Sequence, residues 1–504
     1  MLFNSLQFLL FFPVVCLVYF PLPQVLKKPW LLVCSYYFYM CWDARFALLI
    51  LASTVSTWLC GFLIENAKSH RAGKLALTLN LALNLGILFL FKYFDFFSAS
   101  LAAVFGWLGI AYHPPLLGLT LPVGISFYTF QALGYSIDVY RGDVHHEKSL
   151  LNYALFVSFF PQLVAGPIER SANFLPQLHR PVHFDERRTE EGVMRMLVGF
   201  FKKVVVAEGA AVFVDVVYAA PQQFGAAQLV LATVLFAVQL YCDFGGYSDI
   251  AIGAAQVLGF QLMRNFDRPY FSTSIAQFWR RWHISLSFWL RDYVYIPLGG
   301  NRRGFWRKQL NLLLTFLVSG LWHGAKWTMV IWGGLNGLYQ VFGSLTAAPR
   351  RRLRQALQLD RLRLLTGAFG MAFTFALVCF SYIFFRAASL QDAFLIIRRI
   401  FTGAGGSLTA AQTWRTALQG LDFFGTLPSS PLPWGSLLTN TGVGLTLCIG
   451  LLTLLDIADG PGGTLTARLG KCWFPVRWAF CLLLGGCILL YGRFAPSGFY
   501  YFQF

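Results

Sequence analysis

The amino-acid sequence predicts an all-α, polytopic transmembrane protein with about 10 to 13 spanning or re-entrant helices. Hydrophobic residues make up 57% of the 504 residues and charged residues only 12%, whereas soluble domains are roughly 45–50% apolar and about 25% charged. Several apolar runs approach the ~20 residues that a helix needs to cross a bilayer. The composition and the length of these runs together exclude a soluble enzyme.

The apolar runs indicate a chain that crosses the membrane repeatedly. The first run, Leu6–Phe20, follows no basic segment and precedes no small-residue cleavage site, so we expect a retained span rather than a signal peptide. The runs Trp30–Trp42 and Phe46–Ile64 continue the crossings. Further spans or re-entrant pieces are predicted at about 75–91, 98–112, 115–137, 150–166, 196–219, 227–241, 248–262, 310–342, 364–385, 437–455 and 478–492.

Basic residues cluster in the short connections between apolar runs, and this pattern predicts the orientation of the chain. The formal net charge is +18, and its distribution favours membrane topology over nucleic-acid binding. The basic connections after Leu6–Phe20 and Phe46–Ile64, and the arginine cluster between Arg350 and Arg363, are assigned to the cytoplasmic side. Both termini and the stretch 402–436 are then expected to be external. The arginine cluster could also bind anionic lipid or an acidic carrier.

The chain is predicted to form one membrane-embedded domain over residues 1–504, with its motif-bearing core at about 120–342. It contains no internal repeat, separate soluble domain or nucleotide-binding loop. The ten cysteines are dispersed, lack a CxxC pair and are typical of packing residues. His179 and His183 have the spacing of a zinc pair, but Pro181 between them interrupts the helix. We therefore expect no metal site.

The stretch Phe278–Arg291, FWRRWHISLSFWLR, is predicted as one amphipathic helix. At about 100° per residue, it has a polar, cationic face opposite a wall of aromatic and leucine side chains. Two interpretations stay open: the helix lies flat at the membrane interface, or it lines a cavity and presents its polar face to an anionic substrate. The polar face consists of Arg280, His283, Ser287 and Arg291.

A second histidine, His323, lies inside the apolar run from Leu310 to Phe342, where Lys326 is the only formal charge. A straight helix of this length would extend ~50 Å, which exceeds the ~30 Å hydrocarbon core, so the run must bend or break. Glycines flank the histidine in the sequence SGLWHGAKW, and it would lie about 20 Å from the interface. Such a position is typical of a broken helix beside a cavity, although a structural buried histidine is the alternative.

Five ordered motifs extend over the central part of the chain. They are PVGISFYTFQALGYSIDVYRG (122–142), FFPQLVAGPIER (159–170), YCDFGGYSDIAIG (241–253), NFDRPYFSTSIAQFWRRWHISLSFWLRDYVYIPLGGNRRG (265–304) and SGLWHGAKWTMVIWGGLNG (319–337). These motifs resemble the membrane-bound O-acyltransferase family. The resemblance is to its bacterial branch that O-acetylates alginate and other exopolysaccharides, with the teichoic-acid D-alanylation proteins as near relatives.

This resemblance implies that His323 is the essential histidine of the family and that His283 occupies its second polar position. Acyl transfer from a thioester needs a base for the attacking hydroxyl and a donor near the developing oxyanion. We expect His323 to act as the base and His283 as its positioning partner or as the carbonyl polariser. Asp243 and Asp292 are the nearest carboxylates in the motifs, but no triad is predicted. The residues expected to line the substrate tunnel are Arg280, Ser287, Arg291, Asp292, Trp322 and Tyr501.

The resemblance also implies a catalytic tunnel through the protein, with both imidazoles at one cavity that opens to the cytoplasm. The expected donor is the thioester of acetyl-CoA or of an acyl carrier protein, with acetyl as the expected group, and no bound cofactor is expected. The expected partners are membrane lipid, the cytoplasmic donor and an extracytoplasmic esterase-like transferase, but no nucleic acid. The expected location is a bacterial cell membrane.

The C-terminal segment FYYFQF (499–504) resembles an aromatic terminal motif of the same branch. If this segment is external, the hydroxyl of Tyr501 could enter the tunnel mouth as a transient acyl acceptor. The alternative is an aromatic anchor at the membrane interface, where tyrosine is enriched.

Two other functions remain compatible with the sequence. A transporter or flippase for an anionic, lipid-linked saccharide would also use buried histidines and basic clusters. D-alanylation of teichoic acid is the second, because the resemblance includes the proteins that carry it out. Loss of acyl-thioester consumption with intact export after His323→Ala would distinguish an acyltransferase from a transporter.

Overall fold

The computed structural model describes residues 1–403, 405, 441–463 and 465–494, and all regular elements within these ranges are helices. The predicted all-α fold is confirmed. The helices are α1 (Leu6–Tyr19), α2 (Gln24–Met40), α3 (Ala47–Glu65), α4 (His70–Leu88), α5 (Phe94–Trp107), α6 (Ile125–Arg141), α7 (Leu150–Ser158), α8 (Phe160–Leu163), α9 (Ser171–Leu178), α10 (Glu186–Phe200), α11 (Glu208–Ala219), α12 (Ala226–Val257), α13 (Ile275–Arg281), α14 (Ile284–Leu290), α15 (Phe305–His323), α16 (Trp327–Leu345), α17 (Ala347–Ala356), α18 (Arg363–Arg386), α19 (Leu390–Thr402), α20 (Thr441–Asp459), α21 (Leu465–Leu469) and α22 (Phe474–Tyr491).

Five helical stretches in the described ranges are long and apolar enough to cross a membrane, as expected for a polytopic membrane protein. Their burial differs. In α12, 78% of an 18-residue apolar stretch is buried inside the protein, whereas the corresponding share is 17% in the stretch formed by α4 and α5 and 11% in α22. Helix α12 therefore lies at the centre of the bundle, whereas α4, α5 and α22 expose apolar side chains. The five stretches are Ala44–Glu65, His70–Trp107, Ala226–Val257, Arg363–Arg386 and Phe474–Tyr491.

The predicted runs at 75–91 and 98–112 belong to one bent helix rather than to two separate spans. Helix α4 continues into α5 through a π-helical segment, Phe89–Tyr93. The prediction separated the runs at the charged residues near Lys92. This lysine turns inward and donates to backbone carbonyls of α15, so its charge does not interrupt the helix.

The predicted runs at 227–241 and 248–262 are likewise one helix, α12. The polar residues between the runs face the interior, where Asp243 forms an ion pair with Lys203. A charge that is paired inside the bundle does not require the helix to end. Sequence hydropathy alone cannot distinguish such an internal pair from a polar connection.

The long run at 310–342 breaks where the sequence predicted a break. Helix α15 ends at His323, Gly324 adopts an extended conformation, and α16 begins at Trp327. The two helices then pack closely, because the backbone of Gly320 lies against the backbone of α16. The chain thus turns back at the histidine, and the imidazole lies at the end of a helix rather than in its middle.

Two pairs of glycines bring the central helices α10 and α12 together as antiparallel neighbours. A Cβ atom on Gly199 would lie 2.6 Å from the carbonyl oxygen of Gly246, and one on Gly192 would lie 2.8 Å from that of Gly253. Both distances are too short for a side chain. Small residues at such contacts let two helix backbones approach, which strengthens packing inside a membrane.

We expect Gly199→Leu to destabilise the protein, because the new side chain would meet the backbone of α12. Overpacking of this kind costs about 1–3 kcal/mol or more. The measurement is the thermal unfolding transition of the detergent-solubilised protein. Gly86→Leu is the matched control, since a Cβ at Gly86 on α4 meets nothing within 4 Å. Equal transitions for the two variants would contradict the close approach of α10 and α12.

Candidate active site

The segment around His283 differs from its prediction. Instead of one helix over Phe278–Arg291, two short helices, α13 and α14, meet at His283, which adopts a left-handed conformation with φ 43° and ψ 55°. The single amphipathic helix is therefore wrong. The physical reason is a neighbouring segment without regular structure: the backbone N–H of Ile284 donates to the carbonyl oxygen of Asn265 at 2.9 Å, and Asp267 N–H donates to the carbonyl oxygen of Arg281 at 2.9 Å.

The break turns His283 away from the polar face that the sequence assigned to it. Its side chain is buried, with only 1% of the residue exposed. The ring lies against Phe244 and Trp322, with centroid distances of 4.6 and 5.8 Å. Arg280 and Arg291, which the prediction placed beside it, line a separate cavity instead.

His323 is the last residue of α15 and is also buried, with 3% exposure. Its ring packs edge-on against Trp332 and Phe385, at centroid distances of 4.9 and 5.6 Å. Burial among aromatic rings disfavours a charged imidazole. The neutral form that remains can accept a proton, which is the property required of a general base.

The structure brings the two predicted histidines together. The ring centroids of His283 and His323 lie 6.2 Å apart, with the ring planes inclined at 64°. One ring comes from the turn before α14 and the other from the end of α15. Both histidines therefore lie where a helix is interrupted. Trp322 contacts both rings, at centroid distances of 5.8 and 5.0 Å.

Lys92 is a residue of the site that the sequence analysis missed. It belongs to the π segment Phe89–Tyr93, and its Nζ donates to the carbonyl oxygen of Trp322 at 2.7 Å. A second contact reaches the carbonyl of His323 at 3.5 Å. A cation at the C-terminal carbonyls stabilises the end of a helix. The available signal was a lone lysine inside an apolar run, because such a charge usually serves an interior site.

Asn265 is the second missed residue, and it contacts His283 directly. Its Oδ1 lies 3.1 Å from Nδ1 of His283 and accepts a hydrogen bond from the Ser285 hydroxyl at 2.9 Å. The side chain is fully buried. The available signal was its place in the sequence, because Asn265 opens the motif 265–304 that also contains His283, but no local pattern pairs two residues 18 positions apart.

The carboxylates considered as triad members are engaged with basic residues. Asp243 pairs with Lys203, and Asp292 pairs with Arg170 and Arg291. Burial by itself would raise the pKa of the Asp292 carboxyl, but the hydrogen bond from Arg291 and the charge of Arg170 lower it below its usual value. Asp292 is therefore a carboxylate at neutral pH, and its ion pairs with Arg170 and Arg291 give it a structural role.

A cavity of about 430 Å³ lies beside α13, α14 and α15. Three predicted tunnel residues, Arg280, Ser287 and Arg291, line it together with apolar side chains of α15. Ser319 also lines this cavity and lies one helical turn before His323. The cavity thus follows α15 from Leu312 to Ser319, within one helical turn of His323.

Trp322, another predicted tunnel residue, lines a smaller cavity of about 40 Å³ beside Lys92 and Phe127. Neither imidazole lines these two cavities, so the continuous tunnel stays a prediction. Tyr501 lies outside the described residues. Within those residues, no group of three or more histidine, cysteine, aspartate or glutamate side chains could hold a metal ion.

Comparisons with known proteins identify the family of this chain. The model of the membrane-bound O-acyltransferase family matches residues 143–385. A probable alginate O-acetylase of Pseudomonas putida is 40% identical over 78% of this chain and 79% of its own. A peptidoglycan O-acetyltransferase of Helicobacter pylori is 34% identical over 81% of both chains. A teichoic acid D-alanyltransferase of Streptococcus thermophilus is 29% identical over 52% of this chain and 68% of its own.

The matched region contains both buried histidines and the helices that carry them. The similarity to the alginate and peptidoglycan O-acetylation proteins extends over about four fifths of the chain. The chain therefore belongs to the membrane-bound O-acyltransferase family and is an O-acyltransferase.

Proposed function

We propose that this protein moves an acyl group, acetyl foremost, from a cytoplasmic thioester across the membrane for O-acylation of an extracytoplasmic polysaccharide or other cell-surface glycan. The observation that carries the proposal is the pair of buried imidazoles with ring centroids 6.2 Å apart. The relatives named as alginate and peptidoglycan O-acetylation proteins support the class of acceptor.

In the proposed reaction His323 is the general base. Its neutral imidazole takes the proton of the attacking hydroxyl while the new ester bond forms and the carbon–sulfur bond of the thioester breaks. The thiolate leaves and takes up the proton. His283 acts as the positioning partner of His323 or as the group that polarises the carbonyl.

The cavity beside α13 and α15 supports a route for the donor. Arg280 and Arg291 offer charge to the phosphates of acetyl-CoA or of an acyl carrier protein, and the apolar wall suits the pantetheine arm. The cavity leads towards Ser319, one turn from His323. On the charge pattern, the proposed orientation puts this side in the cytoplasm and both chain termini, with Tyr501, outside.

The proposed setting is a bacterial inner or plasma membrane, with an extracytoplasmic esterase-like transferase as the partner that receives the acyl group. D-alanylation of teichoic acid is a second candidate, supported by the D-alanyltransferase relatives. The O-acetylation relatives share a larger part of the chain, about four fifths against about half. This coverage favours acetyl transfer.

We expect His323→Ala to reduce acyl transfer at least about 100-fold, because a general base contributes about 10²–10⁴-fold. The assay follows thioester consumption and glycan acylation in membrane vesicles, with the amount of extracted protein measured in parallel. His113→Ala is the control, since His113 is an exposed histidine far along the chain from the site. Retained turnover in His323→Ala would remove this residue from the mechanism.

The same vesicles distinguish the enzyme from a transporter. An acyltransferase loses thioester consumption in His323→Ala while saccharide export continues. Loss of export with intact thioester consumption would contradict the proposed function and favour a flippase.

We expect His283→Asn to retain more activity than His283→Ala. An asparagine amide can still donate to Oδ1 of Asn265, and asparagine tolerates the left-handed backbone at this position better than alanine. The measurement is kcat for both variants, with thermal unfolding as the check on folding. Equal losses in two equally stable variants would contradict a hydrogen-bonding role for this side chain.

We expect Arg280→Ala to raise KM for the donor about 5- to 20-fold with a small change in kcat, because it removes binding that is the same in the ground and transition states. Raised salt should weaken donor binding to the wild type more than to the variant. Arg307→Ala, an exposed arginine at the start of α15, is the control. An unchanged KM in Arg280→Ala would argue against this donor route.

A further inference from the structure

Asn265 holds the turn at His283 with both its backbone and its side chain. The residue lies in the irregular segment between α12 and α13 and is 0% exposed. Its carbonyl oxygen accepts from Ile284 N–H at 2.9 Å. Its side-chain Oδ1 lies 3.1 Å from His283 Nδ1 and accepts from the Ser285 hydroxyl at 2.9 Å. One asparagine therefore contacts three consecutive residues of the turn.

The orientation of the Asn265 amide follows from its neighbours. The backbone N–H of Ser285 lies 3.4 Å from Oδ1 and can only donate, so the atom at this position must be the acceptor oxygen. On the other side, Nδ2 donates to the hydroxyl of Ser248 at 3.2 Å. The two ends of the amide thus have distinct partners.

This orientation has a consequence for His283. An amide oxygen has no proton to donate, so Nδ1 of the imidazole must carry the hydrogen in the contact. A neutral imidazole carries one ring hydrogen, and the second nitrogen, Nε2, then holds the lone pair. We propose that Asn265 is a positioning residue that fixes the tautomer of His283 and leaves Nε2 as its proton- or hydrogen-bond-accepting atom. The role of this tautomer in acyl transfer rests on the function proposed above.

The proposal narrows the two roles open to His283. A neutral ring with its hydrogen on Nδ1 cannot donate from Nε2 to a carbonyl oxygen, so it does not polarise the thioester. Its Nε2 can accept a hydrogen bond from an N–H or O–H group beside His323, whose ring centroid lies 6.2 Å away. The single proton of the attacking hydroxyl goes to His323 as the base, so His283 keeps the role of positioning partner.

The strained backbone at His283 supports the proposal that Asn265 holds this turn in place. A left-handed conformation at a residue other than glycine is strained and persists only when its surroundings impose it. The contacts of Asn265 with Ile284 and Ser285 impose the turn, and the same amide sets the ring. Backbone and imidazole are thereby fixed by one residue.

Asn265 also separates His283 from a charged region. Its other side lines a cavity of about 50 Å³ together with Lys202 and Asp249, which are paired at 2.9 Å. The ionisable groups near His283 therefore include His323 on one side, with Lys92 at the carbonyls of Trp322 and His323, and these pairs beyond the amide on the other. The remaining charged residues that line this cavity are Arg195, Arg264, Asp456 and Asp459.

The first test reads the tautomer without using activity. The full-length protein is labelled with ¹⁵N-histidine in lipid nanodiscs, and the His283 signals are assigned by their loss in His283→Gln. We expect nitrogen chemical shifts of a neutral ring with hydrogen on Nδ1. A ring protonated on Nε2 would overturn the proposal, even if acyl transfer is confirmed. If the ring carries its hydrogen on Nδ1 but the protein shows no acyl transfer, the proposed function is contradicted and the assigned tautomer is not.

The second test uses two substitutions of Asn265. Asn265→Ala should lower kcat about 10- to 100-fold, with little change in KM. Loss of a residue that orients a functional histidine has an effect of this size in metal sites. Asn265→Asp keeps an acceptor and adds a negative charge that stabilises the imidazolium. Since His283 must be neutral, the acidic limb of the kcat profile should move about one pH unit upward.

Asn84→Asp is the matched control for the charge substitution. Asn84 is also a buried asparagine, on α4, and its Oδ1 accepts a hydrogen bond from the hydroxyl of Ser53 at 2.7 Å. Among the described residues, its hydrogen bonds do not involve His283 or His323. It should leave the pH profile unchanged. An unmoved profile in folded Asn265→Asp, or the same shift in Asn84→Asp, would overturn the positioning role.

Discussion

A charged or polar group inside an apolar bundle needs a partner within the protein, and this constraint organises the structure. Lys202 donates to Asp249 at 2.9 Å, and the adjacent Lys203 contacts Glu208 at 2.8 Å as well as Asp243. The pairs with Asp249 and Asp243 tie the helix formed by α10 and α11 to α12. The same constraint explains why α12 continues through a polar stretch, because its carboxylates meet lysines inside the bundle.

Three π-helical segments in the described part of the chain make such pairings possible. Each widens the helix locally and so changes which side chains face inward. The segment Phe201–Ala207 turns two consecutive lysines towards acidic partners, and Phe89–Tyr93 brings both Lys92 and Tyr93 to the carbonyls that end α15. The third segment, Arg291–Tyr295, presents Asp292 to Arg170. The π-helical segments therefore lie where charged and polar side chains connect distant parts of the chain.

The two histidines are held by different means. His323 ends a regular helix whose terminal carbonyls receive the ammonium group of Lys92. His283 occupies a left-handed turn that Asn265 holds through backbone and side chain. Each ring is packed among aromatic side chains, which exclude water and preserve the neutral imidazole. An arrangement assembled before substrate binds reduces the reorganisation that the reaction requires.

The sequence by itself determined the all-α membrane class, the family and the break near His323, because composition, motifs and run length are local properties. The tertiary structure decided what surrounds His283. A helical wheel assumes a continuous helix, but the irregular segment at Asn265, 18 residues before His283, interrupts it through backbone hydrogen bonds. The same holds for Lys92, whose partners lie 230 residues away. Contacts between residues so far apart form only when the bundle packs, so no local pattern predicts them.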